Sequence, residues 1–308
     1  MKPPKIVVVG SSNTDMVVKT ARIPAPGETL VGGDLLMTAG GKGANQAVAA
    51  ARLGGDVAFV GRVGMDMFGD RALADISAAG VDVSYVIRDP KAPSGVALIF
   101  VDDTGQNSIV VAPGANGLLT PADVDAARPA FERADVVVAQ FEVPLDAVAR
   151  VIDLARELGT PIIIDPAPAT PIPHGFLDGV DFITPNDHEA CALLGRPLDN
   201  SFDGPAAARA LLAVGVKTAI ITLGSKGALV ATRDGCFEVD APEVLAVDST
   251  AAGDCFTGGL AVGLREGMGL DGAVSFACAA AALSVTKMGA QDSMPGRAEV
   301  EMKLRNII

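Results

Sequence analysis

Cysteine and histidine are scarce in this chain, and basic residues are outnumbered. Cys191, Cys236, Cys255 and Cys278 stand far apart with no C-x-x-C pair, and His174 and His188 are the only imidazoles. Zinc-finger spacing is absent, a disulfide framework is not expected, and each thiol reads as a small buried side chain. Lys and Arg total 24 against 37 Asp and Glu, a formal net charge of −13 with no basic run. That balance counts against nucleic acid and anionic membranes as partners, since either needs a basic face. No stretch approaches the ~18 continuous apolar residues of a membrane span, and the opening MKPPKIVVVG has too short an apolar run for a signal peptide. A soluble, cytoplasmic protein is expected.

What is present is length and apolar content. At 308 residues the chain is about twice a usual ~150-residue domain, which suits two domains or one large α/β body with an appendage. With 49% hydrophobic residues it has ample material for a core. Short Val/Ile runs at 5–10, 57–60, 135–139, 161–164, 180–183 and 217–222 read as buried parallel strands. Helix-period segments at 44–53, 68–79 and 145–158 each end in glycine, so the pattern is one of βαβ units in a layered α/β sheet. Residues 15–38 and 94–111 break the alternation with strand-and-turn patterns and no helix, which predicts a second, small sheet built from two pieces. From Cys255 onward the chain is Gly/Ala-rich and helical through 259–266 and 272–286.

Four places concentrate chemistry. GGKGANQA, residues 40–47, sets three glycines before an Ala-rich helix and predicts exposed N–H groups at that helix's start. It is not a Walker A loop, because Gly43 and not Ser or Thr follows Lys42. DSTAAGD, residues 248–254, leads small residues into a helix, so that consecutive N–H groups can form an anion hole beside Asp254. Asp254 is then either an ordinary N-cap or a general base facing a transferring phosphoryl group, and Gly258 and Gly259 one turn on suggest close backbone approach. TLGSKG, residues 222–227, turns at a strand's carboxyl end, where open α/β sheets bind ligands. ITPNDHE puts Asn186 and Glu189 at i, i+3 just past a strand, where both can face one site or simply serve a helix start. Glu142 lies at the same sheet edge, and His188 reads as a surface residue without metal partners.

Together these stretches resemble the ribokinase-like sugar kinases, the phosphofructokinase B family, over nearly the whole chain. GGKGANQAVAAARLG with Gly64 is similar to the family's N-terminal signature and DSTAAGDCFTGGLA to its C-terminal one. VVVGSSNTDMVV, PGETLVG, SGVALIFVD, ITPNDHE, ITLGSKG and TKMGAQDSMP are similar to further family stretches. The resemblance implies one α/β/α domain over 1–308 with a central, mainly parallel sheet and a small β-sheet lid from about 15–38 and 94–111. It implies transfer of the ATP γ-phosphoryl to the 5-hydroxyl of D-ribose, with Asp254 as base and the Ala251, Ala252 and Gly253 N–H groups as anion hole. Asn13, Thr14, Asp15, Gly41, Lys42, Gly43, Ala44, Asn45, Glu142 and Asp254 would hold the sugar. Asn186, Thr222, Leu223, Gly224, Ser225, Lys226, Gly227, Gly253, Asp254 and Cys278 would hold ATP, although relatives often carry His or Asn at the Cys278 position near the adenine. Asn186 and Glu189 would organise Mg²⁺ through water. Asp248, Thr250, Ser284, Lys287, Gly289 and Ser293 would form a K⁺ site. The lid of such enzymes also pairs subunits, which implies a homodimer.

Other acceptors in the same fold are 2-deoxyribose, fructose, a ketodeoxy sugar acid or a nucleoside. Asn13 and Asp15 together favour a fully hydroxylated pentose, because a missing 2-hydroxyl would leave polar partners unpaired at about 1 to 3 kcal/mol. A nicotinamide-dependent dehydrogenase fails on SSNTD after Gly10, which has no G-x-G-x-x-G. An inactive sugar-binding regulator would be expected to have lost Asp254, which is in place.

Overall fold

The computed structural model describes residues 2–197 and 202–305. Its strands are β1 (Lys5–Val9), β2 (Asn13–Lys19), β3 (Leu35–Gly40), β4 (Asp56–Gly64), β5 (Asp82–Asp89), β6 (Gly95–Val101), β7 (Asn107–Ala112), β8 (Val136–Gln140), β9 (Ile162–Asp165), β10 (Phe182–Ile183), β11 (Thr218–Thr222), β12 (Ala228–Thr232) and β13 (Gly235–Val239). The helices are α1 (Lys42–Arg52), α2 (Met67–Ala78), α3 (Pro121–Ala126), α4 (Arg128–Phe131), α5 (Leu145–Leu158), α6 (Asp187–Leu193), α7 (Gly204–Ala213), α8 (Ala252–Arg265), α9 (Gly269–Ser284) and α10 (Arg297–Arg305).

The large sheet runs β13-β12-β11-β10-β9-β8-β1-β4-β5, parallel from β11 to β5 and antiparallel at β12 and β13. Alternation along β1 shows why its sequence is almost entirely apolar. Ile6 and Val8 join a core with α1, α8 and α9, whereas Val7 and Val9 join a second core with α5 and α7 on the opposite face. Sequence periodicity therefore found the buried strands, but it missed β5 and β13, and the 180–183 run shortens to the two-residue β10. The strands flanking β1 are β4 and β8, so the chain departs in opposite directions from there and opens a crevice at the carboxyl edge.

The second sheet, β3-β2-β6-β7, arises from the two segments expected to pair. β2 runs parallel to β6, with Asp15 beside Ala97, and antiparallel to β3, with Asp15 beside Thr38. β2 leaves the end of β1 after residues 10–12, so this sheet stands next to the crevice.

Helices α1 and α8 cross at Gly258, and the approach is closer than any side chain would allow. A Cβ there would come within 2.8 Å of Ala49 Cβ and 2.9 Å of both the Ala50 nitrogen and the Gln46 oxygen. The close approach expected for Gly258 is thus to a helix and not to a ligand, and Gly259 likewise faces α9 at Ala277. Gly258→Ala should separate the helices and cost about 1 to 3 kcal/mol, read as a lowered denaturation midpoint. An unchanged midpoint would mean that the crossing is not close-packed.

Candidate active site

Asp254 is the third residue of α8 and almost fully buried. It is not an N-cap. Ala251 holds that position at φ 60°, and it is the only non-glycine with left-handed backbone among the described residues. No side chain caps α8, although the Ala252 N–H bonds Ser249 O at 3.2 Å. Helix-start N–H groups that no side chain satisfies, and a residue held in a conformation costing on the order of 1 kcal/mol or more, are what an anion site needs.

The Asp254 carboxylate accepts two amide hydrogen bonds from α1, Asn45 Nδ2 to Oδ2 at 2.9 Å and Gln46 Nε2 to Oδ1 at 3.1 Å. Gln46 Nε2 also donates to Asp165 Oδ2 at 2.7 Å, so one amide joins two buried carboxylates. Lys42 Nζ lies 3.9 Å from Asp165 Oδ2. Burial raises both carboxylates above the ordinary range, against the pull of Lys42 on each and of the two amides on Asp254. Lys42 is itself held protonated: burial opposes its charge, but Asp165, Asp254, Glu142 and Glu189 outweigh it.

The start of α1 differs from expectation. Its N–H groups are not exposed: Lys42 N donates to Glu142 Oε2 at 3.0 Å and Ala44 N to Ser11 O at 2.9 Å. Ser11 Oγ donates to the same Glu142 oxygen at 2.5 Å. The glycines serve packing instead. Gly41 has φ 89°, and a Cβ there would stand 2.6 Å from the Asn13 nitrogen. Ala44 is wholly buried in the core, so it offers no side chain to a ligand. Gly43 N faces Ser11 Oγ at 3.5 Å, so its N–H too points at the protein.

Asp15 lies close enough to Glu142 and Asp254 for both charges to act on it, and Asn13 precedes it by two residues on the same face of β2. Asn13 Oδ1 accepts from Asn116 Nδ2 at 2.8 Å, and Asn116 is anchored by both its amide atoms to the Ser12 backbone. Asp15 is raised to about 6 by burial and by the nearby charges of Glu142 and Asp254. Thr14, between them on β2, points to the other face by strand alternation.

Two cavities meet at the start of α8. The smaller, about 220 Å³, is lined by Lys42, Asp165, Asn186, Glu189 and Asp254 among others. The larger, about 620 Å³, runs over Gly224, Ser225, Gly227, Phe256 and Cys278, and both share Thr222, Ser249, Ala252 and Gly253. Neither Leu223 nor Lys226 lines the larger cavity; Leu223 packs on the core and Lys226 is exposed. Cys278 is a neutral thiol, pushed up to about 12 by burial and by Asp240. Asn186 and Glu189 form a reciprocal capping box on α6, at 2.8 and 2.9 Å, while still facing the smaller cavity.

Asp248 ties two loops. Its Oδ1 accepts from Thr250 N and Oγ1, and its Oδ2 from Gly289 N at 2.9 Å. These bonds hold Asp248 below its ordinary range despite partial burial. Ser284 and Ser293 are buried and donate to Ala281 O and Ala290 O, while Lys287 pairs with Glu299 at 3.1 Å. Among the described residues no group of three His, Cys, Asp or Glu could hold a metal ion by itself, and no helix is long and apolar enough to cross a membrane.

Sequence reasoning missed Ser11, Gln46, Asn116, Gln140 and Asp165. Gln140 and Asp165 had a legible signal: each is the one polar residue ending an otherwise apolar strand, at the edge where ligands bind. An aspartate raised in the fold stabilises it fully below its unfolded value near 3.8 and loses that contribution as pH rises through about 6. Asp15→Asn should therefore gain on the native protein by about 1 to 3 kcal/mol between pH 4 and pH 6 in denaturant unfolding. Parallel curves for the two proteins would remove the shift.

Residues 3–297 match the pfkB family of carbohydrate kinases. The ribokinase of Staphylococcus aureus is 40% identical over 96% of this chain and 98% of its own length. The deoxyribokinase of Salmonella typhi is 38% identical over 94% of this chain and 95% of its own. An Arabidopsis thaliana ribokinase structure, complexed with ribose and ATP, is 35% identical and superposes with a TM-score of 0.92, covering 99% of each chain. With its two long signatures, its sheet topology and its buried Asp254 in agreement, this chain belongs to the pfkB family of carbohydrate kinases.

Proposed function

We propose that the protein transfers the γ-phosphoryl group of ATP to the 5-hydroxyl of D-ribose, giving ribose 5-phosphate and ADP. The observation that carries this reading is Asp254, a buried carboxylate at a helix start without a side-chain cap, where a polar recess meets the 620 Å³ cavity. Asn13, Asp15, Glu142 and Asn45 would take the sugar, because vicinal hydroxyls need acceptors and donors in close pairs. The larger cavity would take the nucleotide, its phosphates running past Thr222 and Gly253 toward the start of α8.

In the reaction the sugar hydroxyl gives its proton to Asp254 as its oxygen attacks the γ-phosphorus. The bond from that phosphorus to the bridging oxygen breaks, and ADP leaves with the electron pair. A raised pKa suits a base that must accept a proton near neutrality. The N–H groups of Gly253 and its neighbours, with Lys42, would stabilise the charge that develops on the transferring group. The smaller cavity offers oxygen donors suited to Mg²⁺, and Asn186 and Glu189 would hold it through water, where it supplies charge neutralisation. Carbonyls of the loops tied by Asp248 suit K⁺, which would stiffen the start of α8.

The whole chain would act as one kinase domain in the cytoplasm, where ATP is supplied, with the small sheet as lid. That sheet exposes Leu36, Ile109 and Val111 on one face and Leu35, Leu98 and Val110 on the other, and a second copy of the chain would cover one of these apolar faces in a homodimer.

The similarity to a deoxyribokinase at nearly the ribokinase level favours 2-deoxyribose as the second reading. A coupled ADP-release assay over ribose, 2-deoxyribose, fructose and nucleosides, with Asp254→Asn alongside, tests both points. Ribose should give the highest kcat/KM, and the variant should bind ATP and ribose yet turn over at least about 10²-fold more slowly. No turnover with ribose would reject the acceptor, and near-normal turnover in the variant would reject the base.

A further inference from the structure

Gln140 ends β8 and is completely buried, and its carbonyl oxygen Oε1 has no hydrogen-bond partner. It faces Gly10, where a Cβ would stand only 1.9 Å away. Buried amides rarely leave a lone pair unsatisfied, and the cause here can be traced inward.

Carboxylates only accept. Asp254 in its ionised form therefore requires Gln46 to present its Nε2, which it does to Asp254 and Asp165 alike. Gln46 Oε1 then points away from them and needs a donor, which Gln140 Nε2 supplies at 2.6 Å. Once Gln140 has turned its nitrogen inward, its oxygen can only face Gly10. A parallel arm runs through Asn45, whose Nδ2 is on Asp254 and whose Oδ1 accepts from Gln291 Nε2 at 3.3 Å. Each Asp254 oxygen thus meets one amide, and each of those amides is oriented by another that does not touch Asp254.

We propose that Gln140 and Gln291 are positioning residues that hold the Gln46 and Asn45 amides with their N–H groups on Asp254. The proposal rests on Asp254 being the base. The unpaired carbonyl of Gln140 is the cost of keeping that orientation, a local rule broken beside the site it serves. Gln140 has the shorter bond and its amide partner serves two carboxylates, so it should matter more than Gln291.

Loss of a donor leaves the ionised form of Asp254 less stabilised among its charged neighbours, Lys42 on α1, Asp165 on β9, Glu142 after β8 and Asp15 on β2. The acidic limb of kcat/KM should then move to higher pH. Gln140→Met, close in shape but without a donor, should lower kcat about tenfold or more, with that displaced limb and little change in the KM for ATP. Gln291→Met should do the same more weakly. Gln140→Glu supplies the discriminating test, because a protonated glutamic acid carries an O–H where Nε2 stood. Its activity relative to the native enzyme at the same pH should be highest at low pH and fall as that acid ionises. In the native protein the side-chain ¹⁵N amide signals of Asn45 and Gln46 should both move in Asp254→Asn, a measurement that does not need the Gln140 variants to fold. Native kcat and pH profile in Gln140→Met, or unmoved amide signals, would overturn the relay. If Asp254→Asn is itself active, the base assignment fails instead.

Discussion

A carboxylate buried without replacement of its hydration would cost several kcal/mol or would simply protonate. Asp254 is buried, and the replacement comes from a single neighbour, the first turns of α1. Asn45 and Gln46 reach it only because α1 and α8 cross at Gly258 with no side chain between them. Most of the site depends on that contact. It fixes that carboxylate relative to α8, whose first residues line the larger cavity, and relative to Lys42 and Glu142 at the start of α1.

The two helix starts divide the work. At α1 the N–H groups are spent on Ser11 and Glu142, so that end locks the loop after β1 to the loop after β8. At α8 no side chain caps the helix and Ala251 sits in left-handed backbone. One start is closed by the protein's own groups, and the other keeps donors for an incoming anion. This also resolves how a chain of net charge −13 can take a triphosphate. Local N–H groups and the protonated Lys42 would provide the positive potential in the proposed reaction, with no basic surface needed.

Much of this was legible in the sequence because it is written in local patterns. Val/Ile runs marked the central strands, and the two Gly-rich stretches marked both helix starts. What was not legible depends on partners distant in the chain. Nothing in GGKGANQA says that Glu142, 100 residues away, will take the Lys42 N–H. The bland and sharp readings of Asp254 differ by its place within one helical turn, and only backbone geometry at Ala251 separates them. Gly258 and Gly259 signalled close approach correctly but not its object, since helix–helix contact and ligand contact make the same demand on a sequence. Asp165 and Gln140 were overlooked at the ends of apolar strands, although a polar residue there is a readable sign.

Burial at the α1–α8 contact holds the Asp254 carboxyl above its ordinary range while two amides keep it ionisable. Titration of aspartate ¹³Cγ signals by NMR, with Asp254→Asn and Asp165→Asn for assignment, measures this directly in the native protein. The expected result is that both Asp254 and Asp165 titrate above 3.8, and that removing either carboxylate lowers the value of the other. An Asp254 that titrates at or below 3.8, indifferent to Asp165, would contradict it.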